Sequence, residues 1–211
     1  MCRRLVWDDA YRPDRGKVLS AEDLERVERF SRYFDSDGDG IAARTLPGVH
    51  PGGAFFTRGS GHDVHGAYTE DPVEYREVID RLTRKLQTAA KAVPAPELCT
   101  RNGAELGLVS LGGCHAAVLE AVRRLSEQGI AVDYMRIRGF PFDAAVADFL
   151  NAHESCFVIE QNRDAQLRSL LMLETGVPRD KMIAVLDYGG LPLTAQFVVD
   201  AVTGQLTGVA A

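Results

Sequence analysis

Apolar positions in the second half of the chain alternate between two rhythms. Leu106 to Leu111 is a short, nearly continuous apolar run, and Ala117, Val118, Ala121, Val122 and Leu125 then share one helical face. Ile130 to Ile137 repeats the strand pattern with partial alternation. Ala145, Val146, Phe149 and Leu150 follow on a helix that Pro141 is expected to open, where a missing N–H costs little. Cys156, Phe157, Val158 and Ile159 have no polar face, as expected when helices cover both sides of a sheet, and Leu167, Leu170 and Leu171 recur at helical spacing. Met182 to Leu186 predicts a fourth strand. Phe197, Val198, Ala201 and Val202 predict a final helix after Pro192, with Thr194 as its cap. Four strand-then-helix units predict an α/β fold with a mainly parallel, three-layer sheet.

The first hundred residues follow another plan: a helical and loop-rich arm. Ser20 and Asp23 have capping-box spacing, and Leu19 is placed to pack on Leu24 as a hydrophobic staple. Asp71-Pro72-Val73-Glu74 supplies a cap, a proline at the first helical position and an acid in the first turn of a second helix. Tyr75, Val78, Ile79, Leu82, Leu86, Ala89, Ala90 and Val93 then form one stripe, predicting a helix of about 33 Å at 1.5 Å per residue. Such a stripe needs a surface to lie on. Between the helices, residues 35–70 make a loop far longer than the usual median of about 4 to 6 residues, a size typical of functional or partner-ordered loops. Pro94-Ala95-Pro96 is the expected hinge, dividing the chain into an arm (1–96) and an α/β domain (97–211).

Composition narrows the possible partners. The chain has 211 residues, 45% of them hydrophobic, and a formal net charge of −6 with both signs interspersed. It has no basic stripe of the kind that neutralises phosphate backbones, so nucleic acid is not expected as a partner. No apolar run approaches the roughly 20 residues needed to cross a bilayer, so no membrane partner and a cytoplasmic location are expected. Cys2, Cys99, Cys114 and Cys156 form no Cys-x-x-Cys pair, and are read as reduced, structural thiols rather than iron–sulfur ligands.

Several short motifs suggest chemistry. Asp35-Ser36-Asp37-Gly38-Asp39-Gly40 matches the opening of a calcium loop, but the twelfth position, where a bidentate glutamate belongs, is Leu46, so an Asp/Gly turn is expected and no metal. Gly38-Asp39-Gly40 also opens the magnesium–diphosphate motif of thiamine diphosphate enzymes, but the asparagine that motif needs some 25 to 30 residues later is missing. Gly59-Ser60-Gly61-His62-Asp63-Val64-His65 places two imidazoles and a carboxylate on a flexible loop, suited to proton transfer, an anion, or ordering against a partner. Gly112 and Gly113 join a strand to its helix, where free backbone N–H groups can receive an anion or where close packing demands glycine. The spacing of Gly107, Gly112 and Gly113 is not that of a dinucleotide fold. Glu160, Gln161, Asn162 and Arg163 stand at the carboxyl end of a strand, the rim where open α/β sheets bind ligands and partners. Asn162 or Asp164 is equally placed to cap the following helix.

In their order, Asp37-Gly38-Asp39-Gly40-Ile41, Arg44-Thr45-Leu46-Pro47-Gly48, His62-Asp63, Tyr68-Thr69-Glu70-Asp71-Pro72, Glu160 to Leu167 and Gly190-Leu191-Pro192-Leu193-Thr194-Ala195 resemble the C-terminal part of the α subunit of 2-oxoacid:ferredoxin oxidoreductases, nearest the 2-oxoglutarate type. The resemblance runs from about Trp7 to Val202. It implies the tail of a pyrimidine-binding domain followed by a transketolase C-terminal-like domain. It also implies a complex with the remainder of the α subunit and a β subunit, in which thiamine diphosphate, Mg2+ and an iron–sulfur cluster are held by partners and none of these cofactors by this chain alone. The implied reaction is oxidative decarboxylation of a 2-oxoacid to acyl-coenzyme A, with electrons passing to ferredoxin. The cofactor-activating glutamate and the substrate-binding arginine fall outside the matched region.

Where members of the family often carry Glu-His-Asp-Glu, this chain has Gly61-His62-Asp63-Val64. Arg44, Arg58, His62 and Asp63 are the candidates near the active-site mouth, and Glu160, Gln161, Asn162 and Arg163 those for subunit contacts. The expected role is architecture and interface, without activity in isolation. The alternative is a stand-alone, non-catalytic assembly or regulatory module.

Overall fold

Leu106–Leu111 (β2), Val132–Ile137 (β3), Ser155–Glu160 (β4) and Met182–Leu186 (β5) run parallel, and Glu97–Cys99 (β1) adds an antiparallel edge to β3. The sheet order is β1-β3-β2-β4-β5. The computed structural model describes residues 6–100 and 104–208. Leu108 lies opposite both Tyr134 and Phe157, and Val109 opposite Met135 and Val158. The two-residue period sends the first trio to one face and the second to the other. On the first face Leu108, Tyr134 and Phe157 pack with α3 (His115–Glu127) and α6 (Ala195–Thr207). On the second, Val109, Met135 and Val158 pack with α4 (Ala144–Ala152) and α5 (Gln166–Thr175). Apolar cover on both sides explains why these strands read as unbroken apolar runs, and the expected mainly parallel α/β architecture is observed.

Local details depart from the expectations. The second apolar run becomes a strand only from Val132. Pro141 follows a cis peptide bond and lies before the helix; α4 is started by Asp143, whose carboxylate accepts from the Ala145 amide at 2.8 Å. In α6, Thr194 caps as expected, but Val199 is buried where Phe197 is partly exposed. Position 107 in β2 is glycine because a Cβ there would stand 2.9 Å from Cys156 Sγ and from Phe149 Cε1. Beneath it, His153 Nδ1 donates to the Phe149 carbonyl at 2.7 Å, and Nε2 lies 3.1 Å from the buried Asp133 carboxylate.

Contacts between backbones divide the chain into Met1–Thr88 and Ala89–Ala211, with all five strands in the second unit. In the first unit, Ala21–Arg26 (α1) begins with the expected capping box, the Asp23 amide donating to Ser20 Oγ at 3.2 Å and the Ser20 amide to Asp23 Oδ2 at 2.9 Å. Pro72–Ala89 (α2) begins on Asp71, which accepts from the Val73 and Glu74 amides at 2.7 and 3.2 Å. With 18 residues it spans about 27 Å, shorter than the stripe predicted, because Ala92 and Val93 both turn back to the Ala89 carbonyl. The connection between α1 and α2 carries a short 3-10 helix at Pro51–Gly53, several hydrogen-bonded turns and an isolated antiparallel bridge between His62 and Tyr68.

α2 packs on this connection with its polar side. Arg81, only 7% exposed, donates to the Gly40 carbonyl at 2.8 Å, Thr88 donates to the Asp39 carbonyl at 2.6 Å, and Arg84 lies 3.6 Å from Asp35. Gly40, at φ +82°, lies so close that a Cβ would fall 2.2 Å from the Lys85 nitrogen. The apolar stripe of α2 is left on the outside, with Tyr75, Ile79, Leu82 and Leu86 between 39% and 53% exposed.

Candidate functional site

Strand β2 has β3 on one side and β4 on the other, so the chain reverses its direction of advance at the carboxyl ends of β2 and β4. In open α/β sheets this switch point is where a crevice forms. Two clefts open there. One of about 440 Å³ is lined by Leu111, Glu160, Gln161, Asn162 and Leu167. The other, of about 680 Å³, is lined by Gly113, Ala116, Gln161, Asp187, Tyr188 and Leu191. Exposed Gln161 borders both, and its Oε1 is 3.8 Å from the Cys114 thiol.

The four rim residues divide by role. Glu160 is only 4% exposed and turns inward, its Oε2 accepting from the Leu167 amide at 2.7 Å and its Oε1 from the Arg168 amide at 3.0 Å. A carboxylate at a helix N-terminus satisfies two orphan donors and complements the dipole, so Glu160 fills the anion position itself. Asn162 joins it, donating to Glu160 Oε2 at 2.7 Å and accepting from the Asp164 and Gln166 amides at 3.1 and 3.2 Å. The fold brings these groups together by setting Ala165 at φ 50°, the one non-glycine residue with positive φ among the described residues. That conformation costs roughly 1–2 kcal/mol, offset by the bonds it allows. Gln161 and Arg163 are left facing outward, Arg163 paired with the exposed Asp164 at 2.8 Å.

Sequence reasoning missed a buried hydroxyl network beside this rim. Ser110 Oγ is 2.7 Å from Tyr134 OH, which is 3.0 Å from Nδ1 of half-buried His115 at the start of α3. Burial pushes the Tyr134 phenol above its usual range. A serine in the apolar run of β2 and a tyrosine in β3 were the available signal, but their pairing depends on strand register.

Arg44, Arg58, His62 and Asp63 all lie in the first unit, and among the described residues no hydrogen bond or ion pair joins them to one another. Arg44 Nη2 donates to the Arg15 carbonyl at 2.7 Å, and its backbone pairs with residues 17 and 19. Arg58 is exposed. His62 stacks on Tyr33 with ring centroids 5.1 Å apart. Asp63 closes its own turn, accepting from the His65 and Ala67 amides at 2.9 Å each. His65 Nδ1 is 2.9 Å from Ser31 Oγ, and His50 Nδ1 accepts from the Gly52 amide at 3.0 Å, so the loop imidazoles serve separate local contacts.

Asp35, Asp37 and Asp39 have carboxylate oxygens within 4.8 Å of one another. The Lys17 ammonium is seated among them, 2.6 Å from Asp37, 2.7 Å from Asp39 and 3.0 Å from the Ile41 carbonyl. Its hydrogen bond holds the Asp39 carboxyl below the usual range. Asp35 accepts from the Gly38 and Gly40 amides at 3.1 and 2.9 Å.

The Gly38-Asp39-Gly40 segment therefore does not fit a magnesium–diphosphate group, since its carboxylate is committed to a lysine and to the Ile41 amide. Among the described residues the thiols do not fit an iron–sulfur cluster either. Cys99 is exposed on β1, Cys114 and Cys156 are buried, and no cysteine belongs to a group of potential metal ligands.

No family model matches the chain. It is 30% identical over 195 residues to the α subunit of 2-oxoacid:ferredoxin oxidoreductase 2 of Aeropyrum pernix, covering 90% of this chain and 30% of that relative. It is 25% identical over 196 residues to the α subunit of the 2-oxoacid:ferredoxin oxidoreductase of Saccharolobus solfataricus, covering 90% and 30%. The solved 2-oxoglutarate:ferredoxin oxidoreductase of Magnetococcus marinus, with 2-oxoglutarate, coenzyme A and succinyl-CoA bound, matches at a TM-score of 0.74 and 26% identity, over 84% of this chain and 31% of that one. The chain thus spans about 30% of the length of the curated relatives it matches.

Proposed function

We propose that the chain is the part of a 2-oxoacid:ferredoxin oxidoreductase α subunit that carries its transketolase C-terminal-like domain, in a complex that converts a 2-oxoacid, with 2-oxoglutarate the first choice, to acyl-coenzyme A and passes electrons to ferredoxin. The observation that carries this reading is a match covering 90% of the chain, paired with a fold match at a TM-score of 0.74. The ligands of the Magnetococcus marinus structure favour 2-oxoglutarate and coenzyme A as the substrates.

The division of labour follows from what the residues do. Glu160 and Asn162 spend their polar atoms holding α5 in place, Lys17 occupies the acidic loop, and the described cysteines do not converge. The chain therefore contributes architecture and interface, while thiamine diphosphate, magnesium and the iron–sulfur cluster reside on the β subunit and the other partners. Gln161 and Arg163 form the partner-facing part of the rim, backed by Glu160 and Asn162. Arg44, Arg58, His62 and Asp63 belong to an arm, residues 1–96, that approaches the active-site mouth, and residues 97–211 form the α/β domain. The complex works in the cytoplasm.

The test is reconstitution. The chain is purified alone and in co-expression with the other parts of such an enzyme, and each preparation is assayed for reduction of a viologen dye with 2-oxoglutarate or pyruvate and coenzyme A. Dye reduction is expected only from the complete complex, and fastest with 2-oxoglutarate. Turnover by the isolated chain would overturn the division of labour, and a complete complex inert to every 2-oxoacid would overturn the function.

A further inference from the structure

The first unit has too little interior to account for the apolar surface it shows. Among its described residues only Leu24 and Phe30 are buried apolar side chains, whereas α2 carries an outward stripe of Tyr75, Ile79, Leu82 and Leu86. At 100° per residue these four lie within about 60° of arc, a ridge of the kind that packs against another helix. The two ends of that ridge differ. Beside its N-terminal half lies an open groove of about 890 Å³ whose lining includes Tyr68, Glu70, Pro72, Tyr75, Arg76 and Ile79, while Leu86 projects from the C-terminal half, 53% exposed. A hollow and a knob on one helix are the two halves of a self-complementary contact.

The charges beside the ridge fit the same arrangement. Exposed Glu74 and Lys85 lie on one flank, about 90–110° from the ridge centre, and Arg76 and Thr83 on the other at about 70–90°. The remaining charged residues of α2, Glu77, Asp80, Arg81 and Arg84, lie about 130° or more from that centre, outside a helix–helix contact. When two copies of α2 pack antiparallel about a two-fold axis, each flank meets its own counterpart running the other way. An axis passing between residues 79 and 80 leaves Glu74 and Lys85 equally far from it, about 8 Å on either side. Each Glu74 then faces the second copy's Lys85, twice per dimer, and Arg76 faces Thr83 rather than another cation. The same axis brings the second copy's Leu86 level with the groove between Pro72 and Tyr75, and sets its exposed Gln87, an amide donor, on the side of Glu70. Parallel pairing would instead set groove against groove, with no knob to fill either.

We propose that the chain self-associates through the outward face of α2, two copies packing antiparallel about an axis beside Ile79, with Leu86 of each seated in the groove of the other and Glu74 paired with Lys85 across the interface. The proposal does not depend on the α-subunit reading above. It is tested by sedimentation of the full chain over a range of concentrations, with hydroxyl-radical footprinting at the two extremes. The folding of every variant is checked by circular dichroism.

A monomer–dimer equilibrium is expected, with Tyr75, Ile79, Leu82 and Leu86 oxidised in the dilute chain and protected as the dimer forms. Leu82→Asp should weaken dimerisation about a hundredfold, and Leu82→Met should leave it nearly unchanged. Glu74→Lys and Lys85→Glu each set like charges face to face and should weaken it about tenfold. An equal mixture of those two variants should dimerise again, because each copy supplies the charge the other lacks. A chain that stays monomeric to about 0.5 mM overturns the proposal, as does a dimer whose ridge is still oxidised. Dimerisation of the mixture no stronger than that of either variant alone overturns the antiparallel register, and the proposal with it. None of these outcomes bears on the α-subunit reading, which stands or falls with dye reduction by the complete complex.

Discussion

The carboxylate of Glu160, the last residue of β4, accepts from the Leu167 amide at 2.7 Å and so ties the strand to the first turn of α5. Its other oxygen holds Arg168, and Asn162 supports it from the side. Glu160→Ala strands these buried donors and should cost about 2–4 kcal/mol, measured as a lower urea midpoint with an unchanged slope. Glu160→Gln keeps the shape but turns an amide toward N–H groups, and should cost about half as much. A loss below about 0.5 kcal/mol for the alanine variant would show that α5 does not depend on this cap.

Gly40 sets how closely the acidic loop lies on α2. Gly40→Ala combines positive φ with a Cβ that would fall 2.2 Å from the Lys85 nitrogen, so the loop must lift off the helix. The expected cost is about 2 kcal/mol or more, with faster proteolysis within residues 35–70. Unchanged cleavage rates would contradict the close approach.

Lys17 acts as the resident cation of the acidic loop. Calorimetric titration of the native chain with calcium or magnesium should therefore release no stoichiometric heat, because Asp37 and Asp39 already hold an ammonium group. Lys17→Met should make thermal stability more sensitive to added salt by leaving the carboxylates to repel one another. Stoichiometric calcium heat from the native chain would count against this arrangement.

Burial pushes the Cys156 thiol up to about 12, from an ordinary value of about 9. Since the folded value lies above the unfolded one, the stabilisation is fully present below about pH 9 and is lost as the pH rises toward 12. Urea midpoints should fall across that window, and Cys156→Ala should flatten the fall. At pH 8, iodoacetamide should modify exposed Cys99 and reach Cys156 only after unfolding.

The sheet was legible because burial on both faces writes itself into strands as unbroken apolar runs, as in Cys156 to Ile159. β1 was not, since three exposed residues leave no period to detect. Asn162 was legible as a cap of α5, and it does accept from the Gln166 amide, but the larger part played by Glu160 was missed for a different reason. Local rules look for a capping side chain at the residue before the helix, whereas Glu160 acts from the end of the preceding strand through a left-handed turn at Ala165. Lys17 escaped notice because it reaches Asp37 across 20 residues of chain. The stripe of α2 correctly announced a helix but not which side would be covered. Periodicity measures amphipathicity, and the contacts of Arg81 and Thr88 with the loop decided the packing.

The inside-out placement of α2 also bears on the fate of the chain in a cell. An unaccompanied copy displays Ile79, Leu82 and Leu86 as chaperones and proteases encounter them on unfinished proteins. The free chain is therefore expected to be lost to turnover or aggregation faster than a variant in which that ridge is made polar.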